Sequence, residues 1–495
     1  MKLSLFKVVI LLSLILATTA FGQQQGLTFN FFGGGARSEG MGQAFTAVSD
    51  DATAARWNPA GLYVHEKTLM VFSYASLMPR GEYSFYPYNS GSRVDVFDHS
   101  GNFGSLSNWS IVTPLRVKGH HVVASVGYND DFDVYYKFGE NLFGDWTGEN
   151  PNALFEKHGR ISSLNLGMGT RIYQNISIGA TGNIYTGKVV TNEGRYYYRD
   201  VDYNNGYATY ASNVTVLDST SFSGFNTTLG ILYSGDNFRA GFTVKTPFNL
   251  DGESDTSQYR ISTRNGVGII QDDWNITGFG IFKTDTIYVD NRTFKIEMPL
   301  MMTMGMAMNT DIKLLGNLLG VQDESLLLSA DVEYRKFSDR MIKNLVNFVI
   351  NANGDRIETY EIRDPNWSDV WQVRLGAEYL FNTGFGEIPI RLGYRNESYP
   401  QGDIASYSVE YVNERDQVGD TTNTLKVFYV FDYDKGNTTG YSLSFGTGIH
   451  WSRILLDFAY TYTTYNQMIY VSDNVLRSEN DWKNHHLNFS FTGYF

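Results

Sequence analysis

The chain has 495 residues, a formal net charge of −13, no cysteine, and 15% aromatic and 18% charged residues. The lack of cysteine excludes disulfide scaffolds, Cys-ligated metals and thiol chemistry, and a hydrophobic share of 42% excludes a disordered chain. The negative charge argues against a nucleic-acid partner.

Residues 1–22 predict a secretory signal peptide. Lys2 and Lys7 precede an apolar run from Val8 to Leu16, and small residues follow as far as Gly22. The run is shorter than the roughly 20 residues that a membrane-spanning helix needs, which disfavours the alternative of a membrane anchor. We therefore expect an exported protein.

Residues 23–66 form a glycine-rich segment that precedes the first predicted strand. Its glycines allow tight turns and close packing, and Asn58 before Pro59 can hydrogen-bond the local backbone. The apolar Phe45 and Trp57 argue against a simple periplasmic linker. The segment is therefore predicted to be a compact plug, or hatch. The positions expected to form the hatch and gate are Gly40, Gly42, Asn58, Pro59 and Ala60.

The rest of the chain, residues 67–495, shows strict alternation of apolar and polar residues. Between Ser325 and Phe337, for example, Leu328 and Val332 fall on one face while Asp331 falls on the other. This period of two is typical of strands with one apolar and one polar face. The predicted strands are 67–78, 103–115, 119–137, 158–172, 175–190, 221–234, 237–247, 298–309, 325–338, 368–381, 388–397, 440–450, 454–467 and 484–495.

The connections between these strands alternate between short turns and long loops, which a soluble β-sandwich would not require. The long loops are predicted at 79–102, 191–220, 248–297, 339–367 and 398–439. Short turns on one side and long loops on the other indicate an outer-membrane barrel. The predicted fold is therefore all-β: a 14-stranded antiparallel transmembrane β-barrel with an N-terminal plug.

The last predicted strand supports this fold independently. Leu487, Phe489 and Phe491 share one face, and the chain ends on Phe495. A terminal aromatic residue after alternating hydrophobic residues resembles the signal that bacterial outer-membrane assembly machinery recognises. Gly493 departs from the aromatic residue usually found at that position. The pattern predicts an outer-membrane protein of a Gram-negative bacterium.

The segment from Asp50 to Leu62, with Asn58-Pro59-Ala60 near its end, resembles the amino-terminal hatch of the long-chain fatty acid transporter (FadL-like) family. The Met-rich stretch through Met308 and the sequence Trp367-Ser-Asp369 also resemble that family. The resemblance implies a fourteen-stranded barrel with the hatch inside it. It further implies uptake of hydrophobic molecules.

The charges that alternation assigns to the barrel lumen are mainly positive. They are Arg171, Arg239, Lys245, Arg335, Arg374, Arg391 and Arg395, against Asp331, Glu333, Glu378 and Asp457. A confined lumen of this sign would attract an anionic head group such as a carboxylate. The alternative is a set of Arg–carboxylate pairs that pins the hatch to the wall. The candidate ligand contacts are Arg335, Arg374, Arg391 and Arg395.

Enzymatic and cofactor sites are not predicted. The adjacent histidines at 120–121 and at 485–486 point to opposite faces of a strand and cannot share a metal. No serine lies in the strand–turn–helix motif of a hydrolase. The acidic stretch from Asn129 to Asp133 lacks the spacing of a calcium loop. We expect no enzyme and no cofactor.

The sequence therefore predicts an outer-membrane channel for passive uptake of hydrophobic or amphipathic molecules, with long-chain fatty acids implied by the resemblance and passage gated by the hatch. Expected partners are these ligands, outer-membrane lipid or lipopolysaccharide, and the outer-membrane assembly machinery. The alternative is an accessory barrel of a secretion or assembly complex that binds partner proteins instead of transporting.

Overall fold

The computed structural model describes residues 30–31, 34–85, 94–100, 102–141, 152–203, 206–265, 280–310, 322–350, 356–414, 424–433, 435–470 and 476–495. The predicted signal peptide lies outside the described residues. The chain forms one antiparallel wall that closes on itself, with a small irregular segment inside.

Fourteen wall strands form the barrel, and eight of them are interrupted once. They are β1 (Leu69–Met78 and Arg80–Phe85), β2 (Val94–Ser100 and Phe103–Val117), β3 (His120–Asn141), β4 (Asn152–Tyr173), β5 (Ile176–Tyr203), β6 (Gly206–Ser234), β7 (Phe238–Lys245 and Phe248–Asn265), β8 (Gly280–Met298 and Met301–Thr310), β9 (Gln322–Arg335 and Ile342–Ile350), β10 (Arg356–Arg363 and Val370–Asn382), β11 (Glu387–Tyr399 and Ile404–Glu414), β12 (Thr424–Tyr433 and Thr438–Trp451), β13 (Ile454–Tyr470) and β14 (Leu476–Tyr494). In addition, the two-residue strand Asn30–Phe31 pairs with Phe132 and Asp133 at the edge of β3.

Each strand pairs with the next in the chain, and β14 returns to pair with β1. In that last ladder Leu69 is opposite Tyr494 and Phe72 is opposite Phe491. This ladder closes the barrel by pairing its first and last strands, which a membrane-spanning sheet requires because lipid cannot hydrogen-bond the backbone. The predicted fourteen-stranded barrel is therefore confirmed.

The interruptions of the strands coincide with prolines in five places, which are Pro79, Pro247, Pro299, Pro365 and Pro400. Proline cannot donate a backbone hydrogen bond, so it breaks the ladder locally. The parts between a break and the nearest short turn include Leu69–Met78 and Met301–Thr310, each with 10 residues. About 9–11 residues are enough for a tilted strand to cross a membrane. The breaks therefore lie at one edge of the membrane-spanning zone.

Beyond these breaks, the structure differs from the sequence prediction. The five segments expected to be long loops consist largely of paired strands: β5 and β6, for example, continue to Tyr203 and Gly206 in one uninterrupted ladder. The sequence prediction therefore ended these strands too early.

The outer surface of the membrane-spanning zone is apolar. Large apolar side chains there remain exposed to the surroundings of the barrel, as expected for a lipid-facing wall. They include Phe72, Leu106, Leu166, Met168, Ile184, Phe225, Leu229, Ile231, Phe242, Met304, Met306, Val332, Leu375, Leu392, Leu443, Leu456, Phe489 and Phe491.

The segment before β1 lies inside the barrel. It contains α1 (Ala36–Gly40), α2 (Ala54–Trp57) and a 3-10 helix (Pro59–Val64). Its apolar side chains are buried: Phe45 and Leu62 are fully inaccessible, and Phe45 packs edge-on against Trp57. We call this segment, residues 34–66, the hatch.

Candidate functional site

Asn58 joins the hatch to itself and to the wall. Its Oδ1 accepts a hydrogen bond from the backbone N–H of Ala60 at 3.1 Å and so caps the 3-10 helix that starts with Pro59. Its Nδ2 donates to the backbone oxygens of Thr46 at 3.0 Å and of Ile231 in β6 at 3.1 Å. Asn58 is fully buried, so all three bonds form away from bulk water. The Asn-Pro-Ala motif therefore anchors the hatch to the wall.

Glycines of the wall let the hatch backbone come this close. They occupy inward-facing positions on eight strands, and several are directly opposite one another, such as Gly169 and Gly179 or Gly376 and Gly393. A Cβ at Gly241 would lie 2.5 Å from the carbonyl oxygen of Thr46. We call this set the glycine belt. Its members are Gly169, Gly179, Gly230, Gly241, Gly305, Gly376, Gly393 and Gly446.

The two predicted hatch glycines lie against the belt. A Cβ at Gly40 would come within 3.0 Å of Gly446, and Gly42 has a positive φ of 61° with the backbone of Tyr394 within 2.8 Å of its Cβ position. A larger residue at Gly42 would therefore suffer both strain and overlap. The sequence analysis identified these hatch positions but missed the belt. The available signal was the recurrence of glycine at inward positions of successive predicted strands.

A chain of ion pairs connects the hatch to the wall on the side of the short turns. Arg37 of α1 contacts Asp50 at 2.5 Å and Glu378 of β10 at 2.8 Å. Asp50 also accepts from Arg239 of β7 at 2.9 Å. Burial would raise the pKa of the Asp50 carboxyl, but the two guanidiniums outweigh burial and hold this pKa below its usual value. The ionised form of Asp50 is therefore favoured.

The four arginines proposed as ligand contacts all point into the lumen and are buried. Arg391 is completely inaccessible and lies 2.6 Å from both Glu378 and Asp457. Arg374 lies 2.7 Å from Glu333 and does not pair with Glu378. Each of these two guanidiniums thus has a protein carboxylate as its partner.

The remaining two arginines have similar surroundings. Arg335 pairs with Glu333, and Arg395 contacts Glu397 at 2.6 Å. Both border an enclosed polar cavity of about 40 Å³, which is roughly the space of one water molecule. The cavity is lined by Glu39, Gln43, Leu77, Arg335, Gln372, Arg395, Glu397, Ser398, Tyr399, Thr461, Thr463, Asn484 and His486. This polar cavity is far too small for a hydrocarbon chain.

An apolar cluster fills the lumen on the other side of the hatch. Its residues follow the glycine belt along the strands toward the long hairpins: Tyr185 follows Gly179 on β5, for example. Tyr185 stacks on Phe248 with ring centroids 4.7 Å apart, and Phe337 meets Trp367 edge-on at 5.5 Å. We call it the lumen cluster. Its buried members are Phe132, Ile161, Tyr185, Val189, Phe222, Leu250, Ile296, Met298, Phe337, Trp367 and Val370.

The wall has a seam between β2 and β3. In the described strands, the backbone pairing of β2 with β3 ends at Asn108 and Asn129, although β3 continues to Asn141. Beyond that point, side chains bridge the two strands: Ser105 Oγ donates to Asp130 Oδ2 at 3.0 Å. Arg160 of β4 donates to the backbone oxygen of Phe103 at 3.4 Å. We call this region the seam.

An amide ladder marks the lower end of the seam. Five buried asparagines on neighbouring strands donate to one another in a single direction, from Asn108 across to Asn226. Beside it, Arg56 of the hatch pairs with Asp131, which lies at an irregularity in the β3–β4 ladder. The stretch from Asn129 to Asp133, which the sequence analysis rejected as a calcium loop and placed within the predicted strand 119–137, is part of the wall.

Among the described residues, no group of three or more His, Asp or Glu side chains is arranged to hold a metal ion. No helix in that part of the chain is long and apolar enough to cross a membrane.

Comparison with known proteins identifies the fold. No family model and no curated protein matches the chain. Among solved structures, a Pseudomonas aeruginosa FadL homologue aligns with a TM-score of 0.51 and 12% identity, covering 94% of this chain and 99% of that one. The mutant TodX monoaromatic hydrocarbon channel aligns with a TM-score of 0.55 and 12% identity over the same shares. The Pseudomonas putida toluene transporter TodX gives 0.51 and 13%, again over 94% and 99%. The chain therefore has the fold of the FadL-type channels, as the hatch motif predicted.

Proposed function

We propose that this chain, which shares its fold with FadL-type channels, is an outer-membrane channel for passive uptake of hydrophobic molecules such as long-chain fatty acids. The observation that carries the proposal is the lumen cluster: eleven buried, mostly aliphatic and aromatic residues inside a membrane barrel. The apolar side chains of this cluster cannot form the polar contacts that ions or sugars need. The cluster is suited to hydrocarbon chains or aromatic rings.

The proposed location is the outer membrane of a Gram-negative bacterium. The closed barrel with an apolar outer surface supports it, together with the predicted signal peptide at 1–22 and the terminal Phe495. The short turns would then face the periplasm and the long hairpins the outside. We also propose that the chain is divided into a signal peptide, a hatch segment at 23–66 and a barrel at 67–495.

Uptake would be driven by transfer of apolar surface out of water. Each buried methylene contributes about 0.8 kcal/mol, so a long acyl chain gains enough to concentrate in the lumen without ATP or a redox cofactor. The aromatic rings of the lumen cluster are packed against one another in this structure. A ligand would enter by displacing them, since side chains can change rotamer more easily than the wall can move.

The hatch would close the straight path to the periplasm. Asn58 holds it to β6 by a side-chain hydrogen bond, Pro59 and Ala60 pack against Gly179 of β5, and Gly40 and Gly42 pack against β11 and β12. Because the backbone of the hatch lies directly against the backbone of the wall at these glycines, side-chain motion alone would not open a gap there. Exit through the seam into the membrane is the alternative, since side-chain hydrogen bonds, and not a continuous β2–β3 ladder, join the two strands there.

The four lumen arginines are proposed to brace the wall and the hatch. Two of them border a water-sized polar cavity, and each has a carboxylate neighbour within the protein. An additional anionic head group would have to displace one of these carboxylates. This observation favours the bracing interpretation over a role of Arg335, Arg374, Arg391 and Arg395 as ligand contacts.

The decisive experiment measures uptake of a radiolabelled fatty acid, and separately of toluene, by cells that lack their own transporter. Since the chain has no cysteine, Ser105→Cys and Asp130→Cys can be introduced together and joined by a short bifunctional thiol reagent. Joining them should stop uptake if the seam is the exit, because β2 and β3 can then no longer separate.

The matched control joins Ser444→Cys to Thr461→Cys, whose hydroxyl oxygens lie 3.1 Å apart across the continuous ladder of β12 and β13. This cross-link should leave uptake unchanged. Uptake that persists after joining the seam would reject lateral exit. No uptake of either compound by the unmodified protein would reject transport and favour the accessory-barrel alternative.

A further inference from the structure

A group of basic residues surrounds the short-turn end of the barrel on four neighbouring strands. Lys67 precedes β1, Arg116 ends β2, Lys118 lies in the turn to β3, His121 begins β3 and Arg171 lies near the end of β4. All five side chains are exposed. We call this group the basic mouth. The proposed function does not use it.

The register of the strands brings these residues side by side. Arg116 is opposite His121, and Val122 is opposite Thr170, which places Arg171 beside His121. Arg116, His121 and Arg171 are each an even number of residues from an inward-facing residue of the same strand, which is Val112, Val123 or Gly169, respectively. Their side chains therefore lie on the inner side of the mouth as well. The basic mouth therefore opens toward the periplasm and not toward lipid.

The end of the hatch lies within this group. The guanidinium of Arg171 lies 4.7 Å above the ring of Tyr63, in the last turn of the 3-10 helix. This contact holds the arginine in place without neutralising it. Lys118 has a positive φ of 48° in a turn position where asparagine or glycine is more usual.

The positive charge of the basic mouth is not compensated internally. None of the five residues makes an ion pair with another described residue, whereas most lumen arginines do. Glu66, which is next to Lys67 in the chain, is itself exposed. Like charges on adjacent strands repel one another. The chain as a whole has a net charge of −13, so the mouth is opposite in sign to the protein as a whole.

From this arrangement we propose that the basic mouth is a docking surface for an acidic patch of a periplasmic protein. Four neighbouring strands at spacings of about 4.8 Å span roughly 14 Å. That width matches several carboxylates on a folded surface better than one small anion. The positive charge of the mouth would attract an acidic partner and orient it on this surface.

An anionic phospholipid head group is the competing occupant. Lipid could reach the outward rim at Lys118, but Arg116, His121 and Arg171 face the interior of the mouth. A bilayer lipid would have to leave the membrane plane to contact them. The geometry therefore favours a soluble partner. The inference rests on the proposed orientation of the barrel in the outer membrane but not on its transport activity.

The test uses the full-length mature protein in nanodiscs of zwitterionic lipid and a fluorescently labelled octaglutamate peptide as the probe. Binding is followed by fluorescence anisotropy at increasing salt. The double variant Arg116→Glu/Lys118→Glu should weaken binding at least tenfold, and the neutral pair Arg116→Gln/Lys118→Gln should have an intermediate effect. The matched control is Arg453→Glu, an exposed arginine in the turn between β12 and β13, which should bind like the unmodified protein.

Several results would overturn the proposal. Equal loss of binding in Arg453→Glu would show attraction to the whole rim, and no binding of the peptide by the unmodified protein would reject docking. If native mass spectrometry in nanodiscs with phosphatidylglycerol shows retained lipid that only the mouth variants lose, while peptide affinity is unchanged, the occupant is lipid. Fatty acid uptake by the same variants is measured separately, so that failure of docking is distinguishable from failure of transport.

Discussion

At the scale of single residues, the lumen is organised by carboxylates that each contact two cations. Glu378 lies between Arg37 of the hatch and Arg391 of the wall, and Glu333 lies between Arg335 and Arg374. Charged groups removed from water need such partners to offset the loss of hydration. Loss of one carboxylate would therefore leave two guanidiniums uncompensated.

We expect Glu378→Gln to destabilise the protein markedly. Arg391 is fully buried and would keep only Asp457 as its charged partner, while Arg37 would lose the bond that joins the hatch to β10. Breaking a buried pair costs about 3–5 kcal/mol. The loss should appear as unfolding at lower temperature on heat-modifiability gels. Glu387→Gln, at the exposed first residue of β11, is the control and should unfold like the unmodified protein.

Asp50 should make closure of the hatch sensitive to acid. Burial would raise its pKa, but Arg37 and Arg239 outweigh burial and lower this pKa below the usual value of an aspartate. A lowered carboxyl pKa contributes stability that is fully present above about pH 3.9 and is lost as the pH falls through the folded value. Ion conductance in planar bilayers should therefore rise below about pH 4.

The variant Asp50→Asn isolates this effect from the neighbouring carboxyl. Burial raises the pKa of Asp51, so Asp51 contributes in the opposite direction. Asp50→Asn should conduct ions at neutral pH and show no further step in acid. Asp339→Asn, which removes a charge in an exposed turn, should behave like the unmodified protein. An identical acid step in Asp50→Asn would assign the step to another group.

The sequence predicted which way the lumen side chains point but not which residues they contact. Strict alternation assigned Arg374, Arg391 and Glu378 to the lumen, and the structure has them there. Alternation did not show that Arg374 is opposite Arg395 in the ladder while Arg391 is opposite Glu378. Register between strands depends on turn geometry and bulges, which side-chain alternation does not encode.

At the scale of elements, the glycine belt determines where the hatch lies. Belt glycines on neighbouring strands form a smooth strip, and the hatch backbone packs on it without intervening side chains. The sequence predicted the hatch and the strands separately, since each has a local signal. It did not predict their contact surface, because that surface consists of residues without side chains.

A single methyl group in the belt should displace the hatch. In Gly179→Ala the new Cβ would overlap the carbonyl group of Pro59, whereas in Gly182→Ala, on the same strand, it would meet only Phe225 at 3.5 Å. We expect Gly179→Ala to conduct small ions well above the unmodified level while retaining heat-modifiable folding. Gly182→Ala should conduct like the unmodified protein. Equal conductance of the two variants would show that the hatch can shift at little cost.

At the scale of the whole molecule, the two ends of the barrel differ, and this difference supports the proposed orientation. Short turns such as the one at Thr383–Gly386 connect strands at one end, while paired hairpins extend beyond the breaks at the other. Alternation predicted the number of strands correctly because each membrane crossing has one lipid-facing side. It underestimated the hairpins, which continue as paired strands beyond the predicted strand ends.

Orientation in the membrane can be tested directly, since the chain contains no cysteine and a single one can be labelled without background. Phe385 in a short turn is 83% exposed, and Asp339 is exposed at the strand break of β9 on the hairpin side. With a membrane-impermeant maleimide, Asp339→Cys should be labelled on intact cells, whereas Phe385→Cys should react only after the outer membrane is permeabilised. Labelling of Phe385→Cys on intact cells would reverse the orientation, and the basic mouth would then face the outside, where a periplasmic protein could not reach it.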